Sequence, residues 1–241
     1  MKKYILITGA TSGIGAVCAK RLSSSHSLIL AGRNVEKLGD IRKTCSNSED
    51  HVIWCCDFLT ERDNIFDSLL SLLEKNDACI ESYIHFAGLT QILPIKNFSI
   101  QYVDKIFNVN FFSIIEIIRL LAKKTYVANL KSIVLTSALF SKRGDIGNSI
   151  YAASKGAINS LVISLAQELA PVRINAILPG AVMTSMAENC SPAHTERLKN
   201  DTPLGLGTPD NIVDYVEFLI SDKASWVTGQ NIFIDGGRST R

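Results

Sequence analysis

The chain has 241 residues, a formal net charge of +2, 46% hydrophobic and 20% charged side chains, enough for one α/β domain with a substantial core. The near-neutral balance and lack of a long basic run exclude nucleic acid and anionic membrane as obvious partners. No stretch approaches the roughly 20 apolar residues of a membrane helix, and the apolar run after Lys2-Lys3 is too short for a signal peptide, so a soluble cytoplasmic protein is expected. The six cysteines (Cys18, Cys45, Cys55, Cys56, Cys79, Cys190) form no C-x-x-C pair and have no interleaved histidines. Neither a metal site nor a disulfide framework is expected from them.

Tyr4-Ile5-Leu6-Ile7 reads as a first strand that drops into the turn Thr8-Gly9-Ala10-Thr11-Ser12-Gly13-Ile14-Gly15, followed by a helical pattern over about 14–24. Such a turn aims a helix N-terminus and free backbone N–H groups at whatever lies above it, which favours a phosphate. Residues 27–31 read as a second strand, and Asn34 as the N-cap of a helix reaching about Cys45. Residues 51–55 form a third strand ending at Asp57. Thr60 is the expected cap of a helix burying Leu69, Leu70, Leu72 and Leu73. A fourth strand over 80–86 closes in Ala87-Gly88 and leads into one long helix over about 99–124. A fifth strand at 131–136 precedes a helix over about 150–170. A sixth at 172–178 breaks at Pro179-Gly180, and a helix at 209–221 and a strand at 231–234 end the pattern.

Several strands are apolar at successive positions, as strands covered on both faces are. Together with the strand–helix alternation this predicts a doubly wound parallel sheet of about seven strands, with helices on both faces, in a single Rossmann-type domain over 1–241. Residues 181–209 have weak periodicity and exceed an ordinary connection, so a substrate loop or lid is expected there.

The spacing Thr8-Gly9-x-x-x-Gly13-x-Gly15 resembles the cofactor loop of short-chain dehydrogenases/reductases. The resemblance extends to the C-terminal Trp226-Val227-Thr228-Gly229-Gln230 and Ile234-Asp235-Gly236-Gly237. Tyr151 and Lys155 share a helix face at i, i+4. With Ser137 at the end of the fifth strand and Asn110 in the long helix, they match the family's Asn–Ser–Tyr–Lys tetrad. Asn108 is the competitor for the first place, and Val109-Asn110-Phe111 fits better. The chemistry explains the residue types: reducing a ketone with hydride requires a proton, and an ordinary phenol titrating near 10 is a poor donor at neutrality. Lys155 is expected to lower that value as a nearby cation and Ser137 to hold the carbonyl oxygen; the resemblance implies that Asn110 holds a water that returns protons through the lysine.

The resemblance further implies cofactor contacts at Gly9, Thr11, Ser12, Gly13, Ile14 and Gly15 of the opening loop and at Arg33, Asp57, Ala87, Gly88, Tyr151, Lys155, Val182 and Thr184. Arg33 suits a 2′-phosphate and no acid appears until Glu36, so NADP(H) is expected over NAD(H). Ser12 stands where many NADP-using members carry a basic residue. His85-Phe86-Ala87-Gly88 departs from the family's Asn-Asn-Ala-Gly, and His85 is read as a satisfied core residue.

The resemblance is greatest to 3-oxoacyl-acyl-carrier-protein reductases, which implies a small carbonyl or acyl-thioester substrate and an acyl carrier protein as partner. Lys123, Lys124 and Lys131 either meet that acidic partner or form a solvated helix end. A dehydrogenase of a sugar, polyol, steroid or other small alcohol is the alternative, as is a nucleotide-sensing or scaffolding protein. Phe111, Phe112, Ile114, Ile115, Ile117 and Ile118 exceed one buried stripe, so a homodimer or homotetramer is expected.

Overall fold

A computed structural model describes residues 1–184 and 192–240. Seven strands form one parallel sheet in the order β3-β2-β1-β4-β5-β6-β7: β1 Lys2–Thr8, β2 Leu28–Gly32, β3 Val52–Cys55, β4 Ala78–His85, β5 Ser132–Thr136, β6 Arg173–Pro179 and β7 Asn231–Ile234. The helices are α1 Gly13–Leu22, α2 Val35–Thr44, α3 Ile65–Lys75, α4 Ile100–Phe107, α5 Ser113–Leu121, α6 Lys124–Val127, α7 Ser149–Glu168, α8 Pro192–Asn200 and α9 Pro209–Ile220. This is the doubly wound Rossmann-type architecture expected from the apolar strands.

Each face of the sheet carries its own core. On one, Leu6, Tyr83, Ile133 and Leu135 pack with Leu69, Ile117, Ile158 and Val162 from α3, α5 and α7. On the other, Ile7, Leu30, Ile84 and Val134 pack with Cys18, Leu38, Ile212 and Val216 from α1, α2 and α9. At about 25 cal/mol per Å² of apolar area removed from water, these two layers are the main force holding helices to the sheet. Arg173 closes the end of α9, donating to the carbonyls of Leu219, Ile220, Ser221 and Ala224. The Leu219 and Ile220 carbonyls belong to the last turn of α9, where no further helical N–H follows, and a cation suits that negative end.

Several element boundaries differ from the sequence expectation. The helix expected over 99–124 is interrupted: a π turn spans Asn108–Phe112 between α4 and α5, and α6 is separate. A π turn widens the ring by one residue, which a 3.6-residue apolar pattern does not reveal. Phe107, Phe111 and Phe112 pack on one another there, and the Arg62 guanidinium lies 4.0 Å from the Phe112 ring. Earlier in the chain, a 3-10 turn at Arg62–Asn64 leads into α3, and Asn64 rather than Thr60 precedes that helix. Within 181–209 the weak periodicity hides α8, and residues 185–191 of that expected lid lie outside the described residues. Asn34 does cap α2, its Oδ1 accepting from Lys37 N at 2.8 Å. Among the described residues no helix is long and apolar enough to cross a membrane, and Cys18, Cys45, Cys55, Cys56 and Cys79 are free thiols.

Candidate active site

Successive strands run outward from β1 to β3, and the chain then crosses to β4 and runs outward the other way. The crevice above such a switch point, at the C-terminal ends of β1 and β4, is where ligands bind in open parallel sheets. Two turns meet there. Gly9 has φ +67°, and a Cβ on it would stand 2.7 Å from Ala87 N, so the opening loop can touch the turn after β4 only because this residue has no side chain. Gly13 has φ +53°, with the Thr184 methyl 3.4 Å from where a Cβ would be, so the loop after β6 lies across the opening loop. Val182 in that loop bridges to Gly207.

Ser12 precedes α1 in extended backbone and makes no side-chain cap, and the first turn holds no acid. The N–H groups of Gly13, Ile14 and Gly15 therefore point out of a positive helix end without an intrahelical acceptor, which fits a diphosphate. Thr11 lies beside the end of β2, its methyl 3.0 Å from the Cβ position of Gly32, and exposed Arg33 follows directly. Asp57 stands past β3, its Oδ1 accepting from Leu59 N at 3.0 Å, so a turn role accompanies whatever it does for a ligand.

The four tetrad candidates lie in one place. Tyr151 and Lys155 are on α7. Ser137 Oγ lies 2.9 Å from the Lys155 carbonyl oxygen and 3.1 Å from Ser141 Oγ, tying the end of β5 to the same helical turn. Asn110 is fully buried in the π turn, its Nδ2 donating to Ser154 Oγ at 3.0 Å and to Leu89 O at 2.9 Å while its Oδ1 accepts from Leu89 N at 2.7 Å. Asn108 instead faces outward and meets Arg62. Lys155 Nζ donates to the Thr136 carbonyl at 2.7 Å. A Cβ on Gly88 would come 3.5 Å from that nitrogen and 3.6 Å from Asn110 Oδ1.

The electrostatics differ from the sequence expectation. Burial pushes the Tyr151 phenol up to about 12 and the Lys155 ammonium down to about 7. Each group resists its own charged form, so the pocket does not make the phenol more acidic as the i, i+4 spacing suggested. Near neutrality Tyr151 keeps its proton, the state a general acid needs, and Lys155 exchanges one.

Supporting residues escaped the sequence reading. Ser154 Oγ returns a hydrogen bond to the Tyr151 carbonyl at 2.7 Å, and Asn159 Nδ2 donates to Ser141 Oγ at 2.8 Å. The available signal was the buried face of α7, where Ser154, Lys155 and Asn159 interrupt Ile158, Val162 and Leu165. His85 is buried as expected but not satisfied, since its Nε2 has no hydrogen-bond partner.

The chain matches the family described as enoyl-(acyl carrier protein) reductase over residues 9–239. It is 30% identical to a 3-oxoacyl-acyl-carrier-protein reductase of Thermotoga maritima over 239 residues, covering 98% of this chain and 97% of that one. It superposes on a 4-hydroxyisoleucine dehydrogenase complexed with NADH at a TM-score of 0.91 and 28% identity over 99% of each chain. A glucose/ribitol dehydrogenase of the short-chain dehydrogenase/reductase type from Brucella melitensis gives a TM-score of 0.88 at 28% identity, over 98% of this chain and 96% of that one.

A buried amine implies a conflict between stability and whatever it does. The native state releases the Lys155 proton near pH 7, whereas the unfolded chain holds it to the ordinary lysine value of 10.5. Between those values the unfolded state binds the extra proton, so stability rises with pH across the window, and the full cost of the buried charge is carried below about 7. Lys155→Met should therefore raise the melting temperature, most below pH 7 and progressively less toward pH 10.5. Thermal denaturation across pH checks this; an equal or lower melting temperature for the variant throughout would contradict it.

Proposed function

Because the chain belongs to the short-chain dehydrogenase/reductase family of oxidoreductases acting on CH–OH groups, we propose that it is an NADPH-dependent carbonyl reductase whose substrates are 3-oxoacyl thioesters on an acyl carrier protein. The observation that carries the reading is the convergence on one turn of α7: Ser137 and Asn110, from separate elements, both bond to the turn bearing Tyr151 and Lys155.

The residues fit a nicotinamide dinucleotide. The first-turn N–H groups of α1, with Thr184 opposite, would hold its diphosphate, Arg33 its 2′-phosphate and Asp57 its adenine. Ala87, Gly88, Tyr151 and Lys155 would hold the nicotinamide ribose, and the Val182 backbone the carboxamide. When bound, this group supplies the hydride that reduces the carbonyl carbon. Tyr151 donates its proton to the carbonyl oxygen, a role supported by a phenol that burial keeps protonated at neutral pH. Ser137 Oγ–H turns from the Lys155 carbonyl toward that oxygen and stabilises its charge. Lys155, titrating near 7, returns a proton to Tyr151. In the family an asparagine carbonyl holds the water that refills the lysine, and in this chain Asn110 would take that role.

The choice of substrate class is supported by apolar side chains exposed after β4, β5 and β6. Ile92, Ile95, Ile146, Met183 and Leu204 stand exposed on loops leaving the C-terminal ends of β4, β5 and β6. Polar groups nearby are already engaged: Asn148 with Asp145, Ser141 with Ala138 O. Such a rim suits an alkyl or acyl arm better than a polyol. A carrier docking on Lys123, Lys124 and Lys131 has less free charge than the sequence implies, because Glu81 pairs with Lys131 at 2.6 Å. Phe111, Phe112 and Ile115 remain half-covered beside α5, a face that a second copy of the chain would bury in a dimer or tetramer.

Tyr151→Phe should bind NADPH as the wild type does yet lose turnover by about a hundredfold or more; near-normal turnover would remove the tetrad assignment. Titrations should give tighter binding of NADPH than NADH, with the difference lost in Arg33→Asp; a wild-type preference for NADH would reject the 2′-phosphate role. An NADPH-consumption panel of acetoacetyl thioesters, sugars, steroids and simple ketones should favour the thioesters, and a sugar or steroid preference would replace the substrate assignment. Light scattering should give a mass above that of one chain, and the monomer mass would exclude self-association.

A further inference from the structure

Where the family pattern has an asparagine, this chain places His85 at the last position of β4, with no solvent exposure. Its Nδ1 lies 2.9 Å from Thr8 Oγ1 on β1 and 2.7 Å from the Tyr83 hydroxyl two residues back on its own strand. Nε2 is buried without a partner. In a neutral imidazole one nitrogen carries the proton and the other a lone pair, so either tautomer leaves Nε2 unpaired as donor or acceptor. Burial, and then the Lys155 charge, keep the ring neutral, so protonation does not relieve this. Tyr83 meets the ring edge-on at 5.9 Å, and Phe58 lies nearly parallel to it at 6.4 Å between centroids. The ring is thus fixed in a costly place, and a buried unpaired group in the middle of a sheet calls for a compensating use.

That use is visible two residues further on. Thr8 Oγ1, besides meeting His85, accepts the Ala87 N–H at 3.3 Å. With that lone pair occupied, the Thr8 hydroxyl is left to meet His85 Nδ1, whose single proton or lone pair it shares with the Tyr83 hydroxyl, so the imidazole and Tyr83 together set the rotor that holds Ala87. Ala87 is the residue against which Gly9 packs, and Gly88 is the one that faces Lys155 Nζ and Asn110 Oδ1. A shift of this turn therefore moves the boundary of the glycine loop and of the buried amine together.

We propose that His85 is a positioning residue: through Thr8 it fixes the Ala87-Gly88 turn between the glycine loop and Lys155, and so sets the affinity for the nicotinamide cofactor. The proposal rests on the reading of that crevice as a cofactor site. It makes no use of His85 as a proton donor to substrate.

Two variants break the link in different ways. Thr8→Val keeps shape but removes the hydroxyl, leaving His85 and Tyr83 to each other. Tyr83→Phe/His85→Leu removes both buried polar groups at once, leaves Thr8 with its backbone partner, and should melt no lower than the wild type. Both should bind NADPH roughly tenfold more weakly by fluorescence titration, the size of effect typical of groups that orient a ligand's direct contacts, with KM for NADPH rising more than kcat falls. His85→Asn, which can still reach toward Thr8 with a polar group, should recover most of that affinity. A merely structural role would change the melting temperature and leave the folded protein's affinity alone. Wild-type affinity in folded Thr8→Val, or in the folded double variant, overturns the proposal; if the double variant does not fold, Thr8→Val decides it. Failure of the wild type itself to bind either NADPH or NADH would instead remove the cofactor reading, and the role of His85 with it.

Discussion

Lys155 is a lysine with 3% of its surface exposed, and much of the catalytic end of the molecule can be derived from what burying that amine demands. An ammonium taken out of water loses several kcal/mol of hydration unless it finds oxygen partners. The Thr136 carbonyl at the end of β5 supplies one. β5 has to finish at Thr136 for that carbonyl to lie beside α7, and Ser137 is then the next residue, bonded to the carbonyl of Lys155 itself. The turn after β4 passes the same nitrogen, and a Cβ on Gly88 would stand 3.5 Å from it, in ordinary contact. Tyr151 stands one helical turn before the amine and shares its desolvated surroundings. The end of β5, the seryl contact and the packing of the turn after β4 are therefore different expressions of one constraint.

Burial is also the part of this that a sequence carries least directly. Spacing alone places Tyr151 and Lys155 on one helix face and identifies Ser137 as the end of a strand. Spacing says nothing about how far from water the pair lies, and so predicts a phenol acidified by a cation rather than two groups each resisting charge. The strands are legible because covered strands read as runs of Val, Ile and Leu without alternation, and the Asn34 cap because a short polar side chain stands directly before a helical pattern. The π turn at Asn110 is not legible. Its aromatic residues satisfy a helical apolar stripe whether or not one residue is added to the turn, and only the tertiary bonds to Leu89 and Ser154 distinguish the two. The same holds for α8, whose charged sequence gives no apolar periodicity to find.

Local rules are broken selectively. Among the described residues, the buried side-chain atoms without partners include His85 Nε2 at the end of β4, Thr136 Oγ1 at the end of β5, and Asn159 Oδ1 on the helix that carries the tetrad. The opposite ends of the strands, away from the crevice, are closed by ordinary means: Lys2 with Asp50, Lys131 with Glu81, Ser132 with Ser82. Polar atoms left unpaired cost stability wherever they occur; these three lie on the elements that carry the tetrad or the turn beside it, while Asn231 Oδ1 at the start of β7 and Arg238 Nε beyond that strand are unpaired elsewhere.

The same asymmetry separates what the family shares from what it varies. A 3-oxoacyl reductase, a 4-hydroxyisoleucine dehydrogenase and a glucose/ribitol dehydrogenase share nearly the full length of this chain while their named substrates run from acyl chains to polyols. The sheet, the glycine loop and the α7 face are constrained by packing and by the buried amine, so substrate preference has to reside in groups free of both demands. Under the proposed function, those would be the side chains on the connections after β4, β5 and β6, where Ile92, Ile146 and Leu204 face water. A large aliphatic side chain there contributes little to folding. Its apolar area is of use only when something covers it, and a substrate arm lying across the mouth would do so at the moment the carbonyl reaches Tyr151. Under the proposed function, the exposed rim would be a source of binding energy held away from the reacting atoms, positioning a ketone without adding a polar group that the buried amine would have to tolerate.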